Sequence, residues 1–400
     1  MGCHAGAYRL SVVLDLIKTG SISLLRGNQS EVKAVYDALS SDNKDENSPL
    51  GKGVDGAQVA DSAIIAYRLA RLINCPIVAT GEEDYVSDGT RVFAVPHGHS
   101  IMTAVTGTGC LLGAVLAAFF GIYDSFKDSL STGEFLAYAL AYYGLAGESA
   151  VKVSGIKPGS FSVAFIDALY TLDDEMLVSE NRVQSVVVPD QLQVYFVCGT
   201  QDTELNKKRL LEIVEDACRG GITCFQFREK GDGTLEGQQK LELAQQLQHI
   251  CAKYHVLYII NDDVELAVAV NADGVHVGQD DMCLEDVRNI VGHKVVGISI
   301  HSIEELHKTD VLYADCVGVG PMYTTSSKPD AQEPCGPERI AELQAEGLTL
   351  PCVGIGGITI DNAMAVLRAG ACGVAVISAI AHAEKPYEAA RQFKELASSL

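Results

Sequence analysis

The C-terminal half of the chain contains short apolar runs at nearly regular intervals, and this repeat constrains the fold more than any other feature. Stretches with helical periodicity separate several of the runs, for example the stretch around Leu243, Leu247 and Ile250. The runs are too uniformly apolar for a sheet that has one face in water. The alternation therefore predicts a C-terminal TIM (β/α)8 barrel. The eight runs, rich in Val, Ile and Phe, start at residues 194, 224, 256, 274, 295, 316, 351 and 373.

The N-terminal half is also α/β, but its elements follow no regular repeat. The sequence predicts a strand at 21–28, a polar insert at 40–53, a helix from about Gln58 to Leu72, a strand at 76–89, and a loop before an apolar helix that TGTGC opens at 106–110.

Between the two halves, residues 171–190 mix acidic and polar residues with a proline, a composition that is typical of a domain boundary. We therefore predict three parts: an N-terminal domain over 1–175, a linker over 176–190 and the barrel over 191–400.

The charge balance excludes several classes of partner. With Lys+Arg 30 against Asp+Glu 52, the net charge is -22, which argues against binding to nucleic acid or to an anionic membrane surface. The twelve cysteines contain no Cys-x-x-Cys pair, which favours a reducing compartment. The longest apolar run, at about 110–123, is shorter than the roughly 20 residues of a membrane span. We predict a soluble, cytoplasmic protein that acts on small molecules.

In such a barrel, functional residues lie at the carboxyl ends of the strands. Two carboxylates that follow adjacent runs, Asp262 and Asp281, are suited to share Mg²⁺, which prefers oxygen ligands and leaves positions for phosphate oxygens. Three cations, Arg228, Lys230 and Lys328, supply the positive charge that a pyrophosphate needs in an acidic protein. The pattern predicts a site for two phosphorylated ligands. The residues that follow the runs are Gln226, Arg228, Lys230, Asn261, Asp262, Asp281, Ser299, Thr325, Ser327, Lys328, Gly356, Gly357, Ile377 and Ser378.

Simpler interpretations apply to three neighbouring residues. Asp263 is expected to cap the helix that follows it, and Asp280 is expected to lie in a turn. His276, between two valines of a predicted strand, is expected to be an interior histidine with its polar groups satisfied.

From about residue 194 onward, the chain resembles the thiamine phosphate synthase family. The resemblance implies a magnesium-dependent transferase that joins hydroxymethylpyrimidine pyrophosphate to hydroxyethylthiazole phosphate and releases pyrophosphate. In that family the leaving group departs first, and the thiazole nitrogen captures the resulting pyrimidine carbocation. The matching motifs are FQFREK at 225–230, INDD at 260–263, HVGQDD at 276–281, GISIHS at 297–302, GPMYTTSSK at 320–328, VGIGGI at 353–358 and VAVISAI at 374–380.

The same resemblance implies a role for each residue of the site. Asp262 and Asp281 would bind Mg²⁺, and Arg228, Lys230, Ser299 and Lys328 would carry catalysis. The pyrimidine pyrophosphate would be held by Gln226, Phe227, Arg228, Glu229, Lys230, Asn261, Ser299 and Lys328. The thiazole phosphate would be held by Thr325, Ser326, Ser327, Gly357, Ile377 and Ser378.

The N-terminal half resembles the hydroxyethylthiazole kinase family, which has the ribokinase-like fold. The motifs are RGNQSE at 26–31, ATGEEDYVSDG at 79–89, VTGTGC at 105–110 and KPGSFSVAF at 157–165. A helix N-terminus such as the one that VTGTGC opens stabilises charge on a transferred phosphoryl group. The resemblance implies that Arg26 and Thr80 contact ATP, that Asn28 and Glu31 belong to the metal-linked phosphate region, that Gly107 touches the thiazole, and that Cys110 is the catalytic residue at the anion hole.

One departure from the kinase family alters the expectation for this half. The chain begins where the family is already well into its sheet, so the half is N-terminally truncated relative to that family. We expect it to bind nucleotide weakly or to be a remnant, without kinase turnover unless another chain supplies the remaining strands. An alternative is a barrel that isomerises or binds a thiazole phosphate, with a non-catalytic N-terminal oligomerisation domain. We expect a homo-oligomer.

Overall fold

The computed structural model describes residues 7–42, 60–127, 129–325, 327 and 332–399. The chain divides into two compact units, Met1–Val186 and Val187–Leu400. Both units are α/β, and the second is a closed barrel, which confirms the predicted fold class. Within the described ranges, no helix combines the length and the apolar character needed to cross a membrane.

The first unit is a five-stranded sheet packed against helices. Its strand order is β1-β2-β3-β4-β5, with β1 and β2 parallel and the other neighbours antiparallel. The strands are β1 Leu25–Asn28, β2 Ile77–Thr80, β3 Asp84–Ser87, β4 Val92–Val95 and β5 Gln184–Ser185. The helices are α1 Ala7–Lys18, α2 Gln29–Asp42, α3 Ala60–Ile73, α4 Thr108–Phe120, α5 Thr132–Ser154, α6 Pro158–Thr171 and α7 Asp174–Ser179.

Two expectations for the first unit were wrong in detail. The segment 76–89, predicted as one strand, forms the hairpin of β2 and β3, because it turns where the backbone N–H of Gly81 donates to Asp84 Oδ1 at 2.8 Å. The segment predicted as a loop contains β4, whose four residues are all buried.

The short strand β5 lies in the stretch predicted as the linker and pairs with β4.

Helix α5 forms much of the core of the first unit. Ser131 caps its N-terminus by accepting from the backbone N–H of Glu134. Leu136, Leu140 and Phe161 are almost completely buried in the cluster between sheet and helices. Each such side chain contributes about 1.5–3 kcal/mol through burial of apolar surface.

The second unit contains eight parallel strands that close into a barrel in the order β10-β11-β12-β13-β6-β7-β8-β9. Each of the eight apolar runs predicted from the sequence contains one strand. The strands are β6 Val194–Cys198, β7 Cys224–Phe227, β8 Leu257–Asn261, β9 Gly274–Val277, β10 Val295–Ile300, β11 Cys316–Val319, β12 Cys352–Ile355 and β13 Gly373–Val376. The helices are α8 Lys207–Gly220, α9 Gly237–Lys253, α10 Val264–Ala269, α11 Leu284–Val291, α12 Ile303–Lys308, α13 Glu338–Ala345, α14 Ala363–Arg368, α15 Ser378–Ala381 and α16 Pro386–Ala397.

Side-chain alternation along the strands divides the barrel into two apolar layers. Phe196 and Phe225 belong to the layer between strands and helices. Tyr195, Val197 and Ile259 belong to a second cluster in the barrel interior. Because successive residues of a strand point to opposite faces, every second residue near a carboxyl end points into the mouth of the barrel.

Candidate active site

A cavity of about 290 Å³ opens at the carboxyl ends of the barrel strands. This is the end at which barrels of this architecture place their functional groups. The predicted site residues that line it are Gln226, Arg228, Lys230, Asn261, Asp262, Asp281, Ser299, Thr325, Ser327, Gly356, Gly357, Ile377 and Ser378.

Two carboxylates and one lysine form the charged centre of the cavity. Lys230 Nζ lies 2.7 Å from Asp262 Oδ2. Burial raises the pKa of Asp262, and the neighbouring charge of Asp281 raises it further, although the Lys230 contact acts in the opposite direction. The pKa of Lys230 is raised, chiefly by its hydrogen bond to Asp262. The three groups are therefore close enough to influence one another's ionisation.

The local backbone fixes both carboxylates. Asp262 follows β8 in a left-handed conformation, with φ of 60°, and its N–H donates to the carbonyl of His276 at 2.8 Å. Aspartate tolerates this conformation better than most residues. Asp281 Oδ2 accepts from the backbone N–H of Gly278 at 2.7 Å, which holds the loop after β9.

The acid pair is compatible with a magnesium ion. Two repelling carboxylates are a suitable set of hard oxygen donors for Mg²⁺, which commonly takes one or two protein carboxylates and fills its remaining positions with water and phosphate oxygens. Among the described residues, no group of three or more His, Cys, Asp or Glu side chains forms a complete metal cage. The residues present therefore fit an ion that is shared with a phosphorylated ligand.

The neighbouring acids have the structural roles predicted for them. Asp263 caps α10, since its Oδ1 accepts from the backbone N–H of Leu266 at 3.0 Å. Its Oδ2 accepts from Lys240 Nζ at 2.7 Å, and the pKa of Asp263 is lowered despite partial burial. Asp280 lies in a turn. Both expectations are confirmed.

His276 is an interior residue, as predicted, and is 8% exposed. Its Nε2 lies 3.0 Å from Ser299 Oγ. Burial lowers the pKa of His276 to about 4, so the ring is neutral at physiological pH. Its Nδ1 is buried without a hydrogen-bond partner among the described residues, so the expectation that its polar groups are all satisfied was wrong.

The loops after β11, β12 and β13 form the other side of the cavity. Thr325 Oγ1 accepts from the backbone N–H of Ser327 at 3.2 Å. Gly357 has φ of 63°, and a Cβ there would lie 2.5 Å from the carbonyl oxygen of Thr324. Glycine therefore permits a close approach of the two loops that a larger residue would prevent.

The structure does not bring every predicted residue to the cavity. Phe227 is 1% exposed and packs between the strands and the helices, because Gln226 takes the inward-facing position of β7. Glu229 directs its carboxylate to the backbone N–H groups of Thr200 and Leu235, at 2.9 and 2.8 Å. Two further predicted residues, Ser326 and Lys328, lie outside the described residues.

Several cavity residues were missed by the sequence analysis. Tyr195 Oη accepts from Gln226 Nε2 at 2.8 Å inside the barrel. Gln279 Nε2 donates to the carbonyl of Ser299 at 2.7 Å. His301 Nδ1 lies 3.1 Å from the carbonyl of Gly320. Inward alternation along β6 and β10 is the signal that could have identified Tyr195 and His301.

In the first unit, the predicted nucleotide contacts lie at the start of α4. Arg26 Nη2 donates to Thr80 Oγ1 at 3.1 Å. A Cβ at Gly109 would lie 3.5 Å from the guanidinium nitrogens of Arg26, so glycine keeps this approach open. Gly107 precedes α4 with φ of 102°, and Cys110 is exposed in its first turn.

Asn28 and Glu31 form a reciprocal cap at the start of α2. Asn28 Oδ1 accepts from the N–H of Glu31 at 2.8 Å, and Glu31 Oε2 accepts from the N–H of Asn28 at 2.9 Å. Both side chains therefore stabilise the first turn of this helix.

Comparison with known proteins assigns the two units to two families. The family model for thiamine monophosphate synthase matches residues 194–380, and the model for the hydroxyethylthiazole kinase family matches residues 1–175. The thiamine-phosphate synthase of Geobacillus thermodenitrificans is 50% identical over 209 residues, which are 52% of this chain and 93% of that protein.

Two solved structures are also similar. Thiamine phosphate pyrophosphorylase from Pyrococcus furiosus is 31% identical, with a TM-score of 0.47, and the match covers 53% of this chain and 98% of that one. A hydroxyethylthiazole kinase protein from Pyrococcus horikoshii is 28% identical, with a TM-score of 0.38, and the match covers 47% of this chain and 63% of that one. The curated relative and the family models together identify the two parts of the chain. This chain belongs to the thiamine-phosphate synthase family through its barrel and carries a unit of the hydroxyethylthiazole kinase family before it. It is a two-domain enzyme of thiamine biosynthesis.

Proposed function

We propose that the barrel joins hydroxymethylpyrimidine pyrophosphate to hydroxyethylthiazole phosphate, forming thiamine phosphate and releasing pyrophosphate. The observation that carries the proposal is the cavity in which Arg228 and Lys230 lie with the acid pair Asp262 and Asp281. A ligand with a single monophosphate would not require this combination of cations and paired acids. A pyrophosphate leaving group would require both.

The reaction breaks the carbon–oxygen bond between the pyrimidine methylene and its pyrophosphate, and it forms a bond from that carbon to the thiazole nitrogen. The pyrophosphate leaves with the bonding electrons, so negative charge develops on it as the bond stretches. Arg228 and Lys230 stabilise that charge, and Lys328 is proposed to join them. Preorganised cations act most strongly where charge develops in the transition state.

Asp262 and Asp281 would hold Mg²⁺, which when bound supplies further positive charge to the pyrophosphate oxygens. Lys230 has a second task, because its hydrogen bond to Asp262 lowers the pKa of that carboxylate and so opposes the effect of burial. Asn261 and Gln226 add neutral polar contacts for the pyrimidine substrate.

The opposite wall is proposed to hold the thiazole phosphate. Thr325, Ser327 and Ser378 offer hydroxyl groups, while Gly357 and Ile377 offer backbone amides in the loops after β12 and β13. A phosphate there would place the thiazole between its own anchor and the pyrimidine. Binding two reactants in one cavity replaces an encounter in solution with a reaction between positioned neighbours.

We also propose that the first unit, over residues 1–175, binds ATP through Arg26 and Thr80. The Nε atom of Arg26 is buried without an acceptor among the described residues, which suits a guanidinium that completes its hydrogen bonds with a phosphate. If another chain supplied the remaining strands, the N-terminus of α4, with Gly107 and Cys110, would stabilise the transferred phosphoryl group, and Gly107 would also touch the thiazole. Residues 176–190 are proposed to join this unit to a barrel domain over 191–400.

The test is to incubate the purified chain with each substrate set, with and without Mg²⁺. Pyrophosphate and thiamine phosphate should appear together, in equal amounts, only when both phosphorylated halves and Mg²⁺ are present. Turnover of a thiazole phosphate alone, without pyrophosphate release, would contradict the synthase proposal and favour an isomerase.

ATP with hydroxyethylthiazole forms a second assay for the first unit, and light scattering tests the expected homo-oligomer.

A further inference from the structure

The serine of β10 that lines the cavity forms a hydrogen bond with a buried histidine on β9. Ser299 is exposed toward the cavity, whereas His276 is 8% exposed. The 3.0 Å separation of His276 Nε2 and Ser299 Oγ is that of a hydrogen bond. The direction of this bond decides what the serine can offer to a ligand.

The histidine ring cannot easily change its position. A Cβ at Gly297 would collide with the Nδ1 edge of the ring, and a Cβ at Gly318 would lie 3.3 Å from Cε1. The ring therefore fills the space that these two glycines leave on the neighbouring strands. A ring flip would occupy the same space but would put Cε1 in the place of Nε2, so the hydrogen bond to Ser299 Oγ holds the ring in this orientation.

The surroundings of the two ring nitrogens determine the tautomer. A neutral imidazole carries one proton, on either Nδ1 or Nε2. Nδ1 is buried and has no acceptor among the described residues, so a proton there would be an orphaned buried donor, which native proteins rarely contain. Nε2 has Ser299 Oγ within reach. The proton is therefore on Nε2, and the histidine donates.

We propose that His276 is a positioning residue that fixes Ser299 as a hydrogen-bond donor toward the pyrophosphate. Because Ser299 Oγ accepts from the histidine, its own hydroxyl proton is free to point into the cavity. Pyrophosphate oxygens only accept, so the opposite tautomer would leave the serine presenting lone pairs to an anion. The identity of the ligand in this inference rests on the proposed synthase function.

A pair of substitutions separates the hydrogen bond from the packing. In His276→Gln the side-chain amide can reach the position of Nε2, whereas in His276→Asn it reaches only that of Nδ1. We expect His276→Asn to lower kcat by about 10-fold or more, the effect of losing a hydrogen bond to a charged group, with a smaller change in KM. His276→Gln should retain most of the activity at a similar melting temperature.

A double-mutant comparison tests whether the histidine acts through the serine. On a Ser299→Ala background, His276→Asn should cost little further activity, since the group it positions is already absent. A full additional loss on that background would overturn the proposal, as would equal losses in His276→Asn and His276→Gln.

The tautomer itself can be measured without any turnover. Long-range ¹H–¹⁵N correlation spectra of the ¹⁵N-histidine-labelled protein should show His276 protonated on Nε2, with its signals assigned by their loss in His276→Gln. Protonation on Nδ1 would overturn the proposal whatever the activity. Failure of the wild-type chain to release pyrophosphate would instead contradict the proposed function, so the two failures are distinguishable.

Discussion

The two units of this chain are both α/β, but they assemble their candidate sites in different ways. In the barrel, each strand of a closed ring ends at the same mouth, and the residues that follow seven different strands meet in one cavity. In the first unit, the candidate nucleotide contacts come from β1, β2 and the start of α4. A closed parallel sheet therefore locates its site by topology, while an open mixed sheet locates it by individual motifs.

The largest expected difference between the units comes from removing one carboxylate of the acid pair. Asp281→Asn keeps an oxygen that can accept from Gly278 but removes a metal-binding charge. We expect pyrophosphate release to fall by at least about 100-fold, because an electrostatic group is lost from the reacting centre. Lys328→Ala should have a comparable effect. ATP binding by the first unit should not change.

The control for this substitution is Asp263→Asn, which keeps an oxygen to cap α10. Turnover in Asp263→Asn should stay near the wild-type value. Pyrophosphate release by Asp281→Asn at a wild-type rate would contradict the assignment of the acid pair as magnesium ligands.

The second prediction compares two lysine–aspartate pairs with the same 2.7 Å separation. Lys230→Met should lower kcat/KM of the synthase by about 10-fold to 100-fold, because a charge-assisted contact to the pyrophosphate is lost. Lys240→Met should leave turnover intact and lower the free energy of unfolding by about 1 kcal/mol or less. Steady-state kinetics and urea titrations measure the two effects. Equal kinetic losses in the two variants would show that the positive charge in the cavity contributes no more to turnover than the charge outside it.

The third prediction concerns the first unit alone. Arg26→Met should weaken ATP binding by about 10-fold, because the guanidinium no longer reaches the phosphates. Synthase turnover should not change. Arg71→Met is a matched control, since Arg71 donates to the carbonyl of Gly89 and serves the fold. Calorimetric titration with ATP measures the binding, and unaltered affinity in Arg26→Met would remove the nucleotide assignment.

The smallest expected effect is a pH dependence confined to the first unit. Burial raises the pKa of Asp84 from 3.8 to about 7, although the hydrogen bond from Gly81 and the charge of Arg26 both act to lower it. A carboxyl whose pKa is higher in the folded state favours folding while it is protonated, and this contribution is lost as the pH rises from about 4 through 7. Asp84→Asn should remove that loss, because the amide does not ionise. The substitution should therefore raise the free energy of unfolding by about 1 kcal/mol or more at pH 8, but not at pH 4.

Thermal melts at both pH values measure this effect, provided that the transitions of the two units are resolved. The transition of the barrel should not respond to the substitution. A barrel transition that shifts with Asp84→Asn, or a first unit with no pH-dependent difference, would contradict the prediction.

The sequence predicted the barrel more fully than the first unit for a physical reason. Strands buried on both faces are uniformly apolar, and runs such as those containing Val194 and Val295 stand out from the amphipathic helices between them. In the first unit, β2 and β3 are joined by so short a turn that 76–89 looked continuous. The turn depends on one side-chain contact, from Asp84 to Gly81, which composition does not reveal.

Within the site, strand order predicted which segments meet but not which side chains face inward. Gln226 and Phe227 are neighbours in one motif, yet only Gln226 reaches the cavity. Glu229 has a sequence position as promising as that of Lys230, but its carboxylate accepts from the N–H of Thr200, after β6, and from the N–H of Leu235 in its own loop. Alternation separates Gln226 from Phe227 once the inward-facing positions of β7 are known, whereas the contact of Glu229 with Thr200 joins residues that are distant in sequence.

Strand β5 has a practical consequence for anyone who separates the two units. Gln184 and Ser185 pair with β4, and the barrel begins only at Val194. A cut before Gln184 would strip the outer strand from the sheet and expose the backbone edge of β4, which is a template for aggregation. An expression boundary placed after Ser185 would keep that edge covered, so a poorly behaved fragment with an earlier boundary would say little about the intrinsic stability of the first unit.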